Sequence, residues 1–139
     1  MDFVLDANVI MSMLISGRAS YKHLLSNYQF FTPAYVLQEV EEYHAVLRVK
    51  SRLQGPEWEA FARFIFTKIH VIPAFLIHES NRKKALALTN RIDVDDAEYV
   101  ALALQFNFKL LTRDVPLHDG LQKKGFRNVI LFADFLKTV

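Results

Sequence analysis

Short apolar runs of strand length alternate with longer segments of helical period along the whole chain, and that alternation narrows the folds open to it. The first run is Phe3 to Leu5. It starts almost at the first residue, stops on Asp6, and is followed by Asn8 and a further apolar run from Val9 to Ile15. A buried central strand looks like this when it delivers one acidic side chain to the end of a sheet. A turn or helix-cap role is the competing reading of Asp6, and Asp6 alone does not decide between them.

Downstream, Val9 to about Asn27 has helical character, with an interruption at Gly17 and Ser20 placed to cap a second piece. Gln29 to Thr32 reads as a short aromatic strand. It runs into Thr32-Pro33, which predicts a capped helix start with Pro at the first helical position. Val36, Leu37, Val40, Tyr43, Val46 and Leu47 would form the apolar face of that helix. After a break at Gln54-Gly55-Pro56, the recurrence of Trp58, Phe61, Ala62, Ile65 and Phe66 predicts a helix packed on the core. His70 to Ile72, ended by Pro73, reads as a strand, and Phe75 to Thr89 as a helix.

Asp93 to Leu104, read DVDDAEYVALAL, carries the strongest helix signal. A strand at Lys109 to Thr112, a short helix from Pro116 to Lys124 closed at Gly125, a strand at Asn128 to Phe132 and a turn of helix at Asp134 to Thr138 complete the pattern. The expected fold is an α/β sandwich with a mostly parallel sheet. At 139 residues, with 52% hydrophobic and 23% charged side chains, residues 1–139 suit a single domain with its own core.

Composition removes several classes of function. There is no cysteine, so disulfides and thiolate metal sites are excluded, and a metal must be held by oxygen or imidazole. His23, His44, His70, His78 and His118 show no ligand spacing and no nucleophile partner. No glycine-rich loop follows a strand, which removes dinucleotides and nucleoside triphosphates as leading ligands. Asp2 precedes the first apolar run without a basic region, and charges or Pro interrupt every such run, so a soluble cytoplasmic protein with no membrane association is expected. Net charge is +2. The basic groups Arg48/Lys50/Arg52, Arg82/Lys83/Lys84 and Lys123/Lys124/Arg127 read either as solvated helix faces and ends or as phosphate contacts.

In a parallel α/β sheet, ligands bind beyond the carboxyl ends of the strands, where helix N-termini also converge. Asp6 and Asp114 follow strands, Asp96 opens a helix, and Glu39 lies about two turns into another, so all four can reach one edge. Asp96 continues the stripe formed by Val100, Ala103 and Leu104, which turns it toward the protein. Asp93 reads first as that helix's cap, and Asp95 and Glu98 as solvent-facing. Two unit charges about 4 Å apart repel by about 4 kcal/mol at an effective dielectric near 20. A hard divalent cation relieves that repulsion, and oxygen ligands favour magnesium or manganese. Such a cleft suits metal-assisted phosphodiester hydrolysis.

With LDANV at the start, LQEV around Glu39, DDAEYVALAL around Asp96 and LLTRD ending at Asp114, the chain resembles the PIN domain family, metal-dependent ribonucleases that include toxins of the VapC type. The resemblance covers essentially the whole chain. It implies a three-layer α/β/α sandwich with a twisted parallel sheet of four or five strands. Carried over, it implies Asp6, Glu39, Asp96 and Asp114 as catalytic and metal-binding acids for Mg2+ or Mn2+, with Asn8 and Thr112 as hydrogen-bonding supports and Asp93 or Asp95 as a substitute for Asp96. Arg113 departs from the small or neutral residue usual between Thr and Asp, and Asp119 is a further acid nearby. The resemblance also implies an RNA substrate, a homodimer and an antitoxin partner.

The expected function is therefore a metal-dependent endoribonuclease, the toxin of a toxin–antitoxin pair. The alternative is a catalytically inactive RNA- or protein-binding module on the same fold. A phosphatase with Asp6 as nucleophile is disfavoured, because Asn8 stands where such an enzyme wants a second Asp.

Overall fold

A computed structural model describes residues 1–139. Its strands are β1 (Asp2–Leu5), β2 (Gln29–Pro33), β3 (Ile69–Ile72), β4 (Lys109–Thr112) and β5 (Val129–Leu131). They pair in parallel in the order β3-β2-β1-β4-β5, with Val4 opposite both Phe31 and Leu110. β1 is therefore the centre of the sheet. Phe3, Val4 and Leu5 are all buried, as expected of a strand covered on both faces.

Helices α1 (Ala7–Ser16), α2 (Ser20–Asn27), α3 (Tyr35–Lys50) and α4 (Gly55–Lys68) precede β3, and α5 (Glu79–Thr89) and α6 (Ala97–Phe106) lie between β3 and β4. α7 (Val115–Lys123) connects β4 to β5, and α8 (Phe132–Leu136) ends the chain. α1 packs on α3 and α4, whereas α6 packs on β1, β2 and α5, and α5 reaches α7. The result is the three-layer α/β/α sandwich, with the sheet at the upper end of the four-to-five range. α8 is anchored by aromatic packing: Phe135 meets Phe3 at 4.8 Å and Tyr28 at 5.5 Å, both edge-on. Each such pair contributes about 0.5–1.5 kcal/mol beyond its buried area.

Several local expectations are corrected. Thr32-Pro33 does not cap α3. Both residues close β2, and the Thr32 hydroxyl donates to the Leu5 carbonyl across the sheet at 3.0 Å, so a buried inter-strand bond takes the place of the cap. Ser20 is the first residue of α2 and makes no cap hydrogen bond. The break before it rests on Gly17, whose φ of 60° suits glycine and whose N–H closes α1 on the Met13 carbonyl at 2.9 Å.

On α3 only Val36 and Leu47 are buried. Leu37, Tyr43 and Val46 are exposed, because the helix meets its neighbours along one narrow stripe. The helix expected at Phe75 to Thr89 is split into a 3₁₀ turn at Ala74–Leu76 and α5. Phe75 lies in solvent, and the Gln105 side chain holds the His78 N–H at 2.6 Å where the two pieces part. The Asp93 helix likewise begins as a 3₁₀ turn, Val94–Asp96, before α6. Glu98 is not free in solvent; it pairs with Arg82 at 2.8 Å.

Candidate metal centre

The chain leaves β1 toward β2 and β3 and later returns to the opposite flank as β4, so strand order reverses between β1 and β4. Their carboxyl ends frame the crevice where parallel sheets bind ligands. Asp6 is the first residue beyond β1, and Thr112 is the last of β4.

A network built from both strand ends fixes Asp6. Thr112 Oγ1 donates to Asp6 Oδ2 at 2.7 Å, and Asn8 Nδ2 reaches the same oxygen at 3.2 Å. Asn8 Oδ1 accepts the Arg113 N–H at 3.0 Å, and Thr112 Oγ1 accepts the Asp114 N–H at 3.1 Å. Asn8 and Thr112 thus support the acid and also shape the backbone that carries Asp114. Asp114 Oδ1 caps α7 by accepting the Leu117 N–H at 3.0 Å.

The α6 side brings the other acids. Asp93 Oδ1 accepts the Asp95 N–H at 3.0 Å, which fixes the 3₁₀ turn and sets Asp96 at the head of α6. One carboxylate oxygen each from Asp93, Asp96 and Asp114 lie within 4.8 Å of one another. Asp93 is therefore both a cap and a member of the acidic cluster, while Asp95 is exposed outside it. Asp6 and Glu39 flank this triad without joining it. Glu39, half-buried on α3, accepts a 2.5 Å hydrogen bond from the Tyr99 hydroxyl on α6. Asp119, bound to His118 at 2.8 Å, is largely exposed and stands apart from the triad.

Burial and the charges of neighbouring acids leave Asp6, Glu39 and Asp96 reluctant to ionise. Asp6, 2% exposed, is pushed up to about 6, chiefly by burial, with Glu39 and Asp114 adding to it while Thr112 and the Ala7 N–H oppose it. Asp96 is pushed up to about 8, by burial first and then by the charges of Asp6, Asp93, Asp114 and Glu39. Glu39 is raised by burial, against the Tyr99 hydrogen bond. The protein's four ion pairs, Arg48–Glu59, Arg82–Glu98, His118–Asp119 and Lys137–Asp134, involve none of these groups. Only neutral donors reach Asp6 and Glu39. A concentration of carboxylate oxygens without a compensating cation fits a hard divalent metal.

The PIN domain family profile matches residues 4–132. This chain belongs to the PIN domain family. The PIN domain also resembles two solved structures: VapBC2 from Rickettsia felis bound to a DNA fragment from its promoter, and a toxin–antitoxin complex from Klebsiella pneumoniae. The first has a TM-score of 0.63 at 15% identity, covering 94% of this chain and 97% of the other. The second has 0.57 at 20%, covering 91% and 94%. At these identities the likeness is one of fold. No curated protein sequence matches the chain significantly.

Within this PIN domain the residue that sequence reasoning missed is Tyr99. It lies 60 positions from Glu39, and its aromatic ring reads as core from the sequence. Its only sequence signal is its place one helical turn after Asp96, on the face that meets α3.

Proposed function

We propose that this PIN domain is a magnesium- or manganese-dependent endoribonuclease, the toxin component of a toxin–antitoxin pair. The observation that carries the reading is the uncompensated acidic cluster at the sheet's switch point. Asp6, Asp96 and Asp114, with Glu39 and Asp93 beside them, would hold the cation. A bound divalent ion there lowers the pKa of a water and stabilises charge on a leaving phosphodiester oxygen.

This chain's own residues prepare that chemistry. Thr112 and Asn8 orient Asp6 from the rigid centre of the sheet, Tyr99 orients Glu39, and the α7 cap leaves the second oxygen of Asp114 free of a protein partner. The phosphate of a single-stranded or looped RNA is the fitting substrate, since such a backbone bends into a cleft. The toxin role rests on the fold likeness to the two toxin–antitoxin structures. It brings an antitoxin chain and a second copy of the protein as expected partners. Tyr43, Val46 and Val49 offer exposed apolar surface along α3 for such contacts. No helix is long and apolar enough to cross a membrane.

The test is cleavage of a single-stranded RNA by purified protein with Mn2+ or Mg2+ and with chelator. Cleavage should require the metal and disappear in Asp6→Asn and Asp96→Asn. Equal cleavage by those variants would place the chemistry elsewhere.

A further inference from the structure

Between α1 and α8, lined by Arg113, the residue before Asp114, lies a cavity of about 370 Å³ with two guanidinium groups and no carboxylate on its walls. One wall is Arg18, immediately after the glycine that ends α1. The other is Arg113, between Thr112 and Asp114. Both arginines are exposed, and neither takes part in an ion pair or a side-chain hydrogen bond, unlike Arg48 and Arg82. Two unpaired cations facing one cavity repel each other unless an anion lies between them. The backbone under Arg113 is held by the site itself, through the Asn8 side chain at 3.0 Å, which fixes the point from which this side chain leaves.

Tyr21 also lines the cavity, its ring 6.3 Å from Phe132, and its hydroxyl has no partner. Tyr21, Arg18 and Leu136 line a second, larger cavity as well, of about 500 Å³, which runs between α2 and the end of the chain past Tyr28. The two cavities therefore share Arg18, Tyr21 and Leu136 as common walls, with Arg113 on the first and Tyr28 on the second. Guanidinium groups recognise phosphate by paired hydrogen bonds, and exposed aromatic rings stack bases without sequence preference.

We propose that Arg18 and Arg113 form a phosphate subsite for single-stranded RNA, holding a phosphodiester next to the one at the acidic cluster, with Tyr21 contacting the adjoining nucleotide. The proposal rests on the ribonuclease reading of the acids. The order of the lining residues gives the strand its path: along α2 past Tyr21 and Arg18 to Arg113, whose chain neighbour is Asp114.

Binding and cleavage are measured separately. In chelator, a labelled single-stranded RNA oligonucleotide is titrated with the wild type, Arg18→Ala, Arg113→Ala and the double variant over a range of salt concentrations, with cleavage in Mn2+ and Mn2+ calorimetry run in parallel. The double variant should bind RNA about tenfold or more weakly, and the slope of log affinity against log salt should fall by about 0.7, the contribution of one phosphate contact on a single strand. KM should rise while Mn2+ affinity and the melting midpoint stay at wild-type values. RNA affinity and salt slope equal to wild type in the double variant overturn the subsite, as does a wild type that binds no RNA. An acidic peptide displaced by these substitutions while RNA binding is unchanged assigns the cavities to a protein and overturns it too. RNA binding that depends on both arginines in a protein that cleaves nothing leaves the subsite standing and removes the hydrolytic reading instead.

Discussion

Asp6 would answer two opposed demands in the proposed metal centre, because it is buried at the centre of the sheet yet would bind a cation only as an ionised group. With neutral donors alone around it, its carboxyl sits at about 6. Asp6→Asn removes the buried charge and keeps the shape. In metal-free protein at about pH 8 it should raise the unfolding free energy by up to about 3 kcal/mol, read by thermal or urea denaturation in chelator. The same variant should lose more than about a hundredfold of metal-dependent cleavage. Tyr99→Phe separates support from structure: losing one hydroxyl should change stability by about 1 kcal/mol but lower metal affinity or turnover by about ten- to a hundredfold. The positions of Asp6 and Asp114 were legible in the sequence because strand ends fix where a side chain emerges, whereas Asn8 and Thr112 came into view as supports only through the resemblance to the PIN domain family. Tyr99 was not legible, because nothing local distinguishes an aromatic that bonds Glu39 from one that only fills the core. The double use of Asp93 was half legible: its cap was plain, and its place in the cluster depends on the 3₁₀ turn.

Among the elements, β1 governs both the core and the site, and α3 contributes less to the core than its apolar content suggests. Leu5→Ala should destabilise by about 2–5 kcal/mol, while Leu37→Ala, at an exposed position, should stay within about 0.5 kcal/mol; urea denaturation measures both. Every strand was legible from its short apolar run between turn residues. The errors fell where tertiary contacts outweighed local chemistry. Thr32 had a carbonyl of β1 within reach and did not cap a helix, and Gln105, far along the chain, satisfied the His78 N–H where a helix had been expected to continue. On α3 the periodicity marked an apolar face correctly as apolar, but periodicity does not say whether a neighbour covers it.

For the whole molecule, the raised acids link stability to pH and to metal. Asp6 and Asp96 hold protons in the folded state that the unfolded chain releases near pH 4, so the folded state binds more protons between about pH 4 and about pH 8. Their contribution to stability is accordingly greatest at the acidic end and falls as pH rises through about 6 and then about 8. A cation held by these acids would reverse that loss by binding the ionised form. The Mn2+-induced rise in melting midpoint should therefore be larger at about pH 8 than at about pH 6, as thermal scans with and without metal will show. The central claim is that the acids at the switch point between β1 and β4 form a divalent metal centre. Calorimetric titration of Mn2+ near pH 7, in buffers of different ionisation enthalpy, tests it most directly. Binding accompanied by proton release, weakened by about tenfold or more in Asp96→Asn, is the predicted result; no binding at about millimolar Mn2+, or equal affinity in Asp96→Asn, would contradict it.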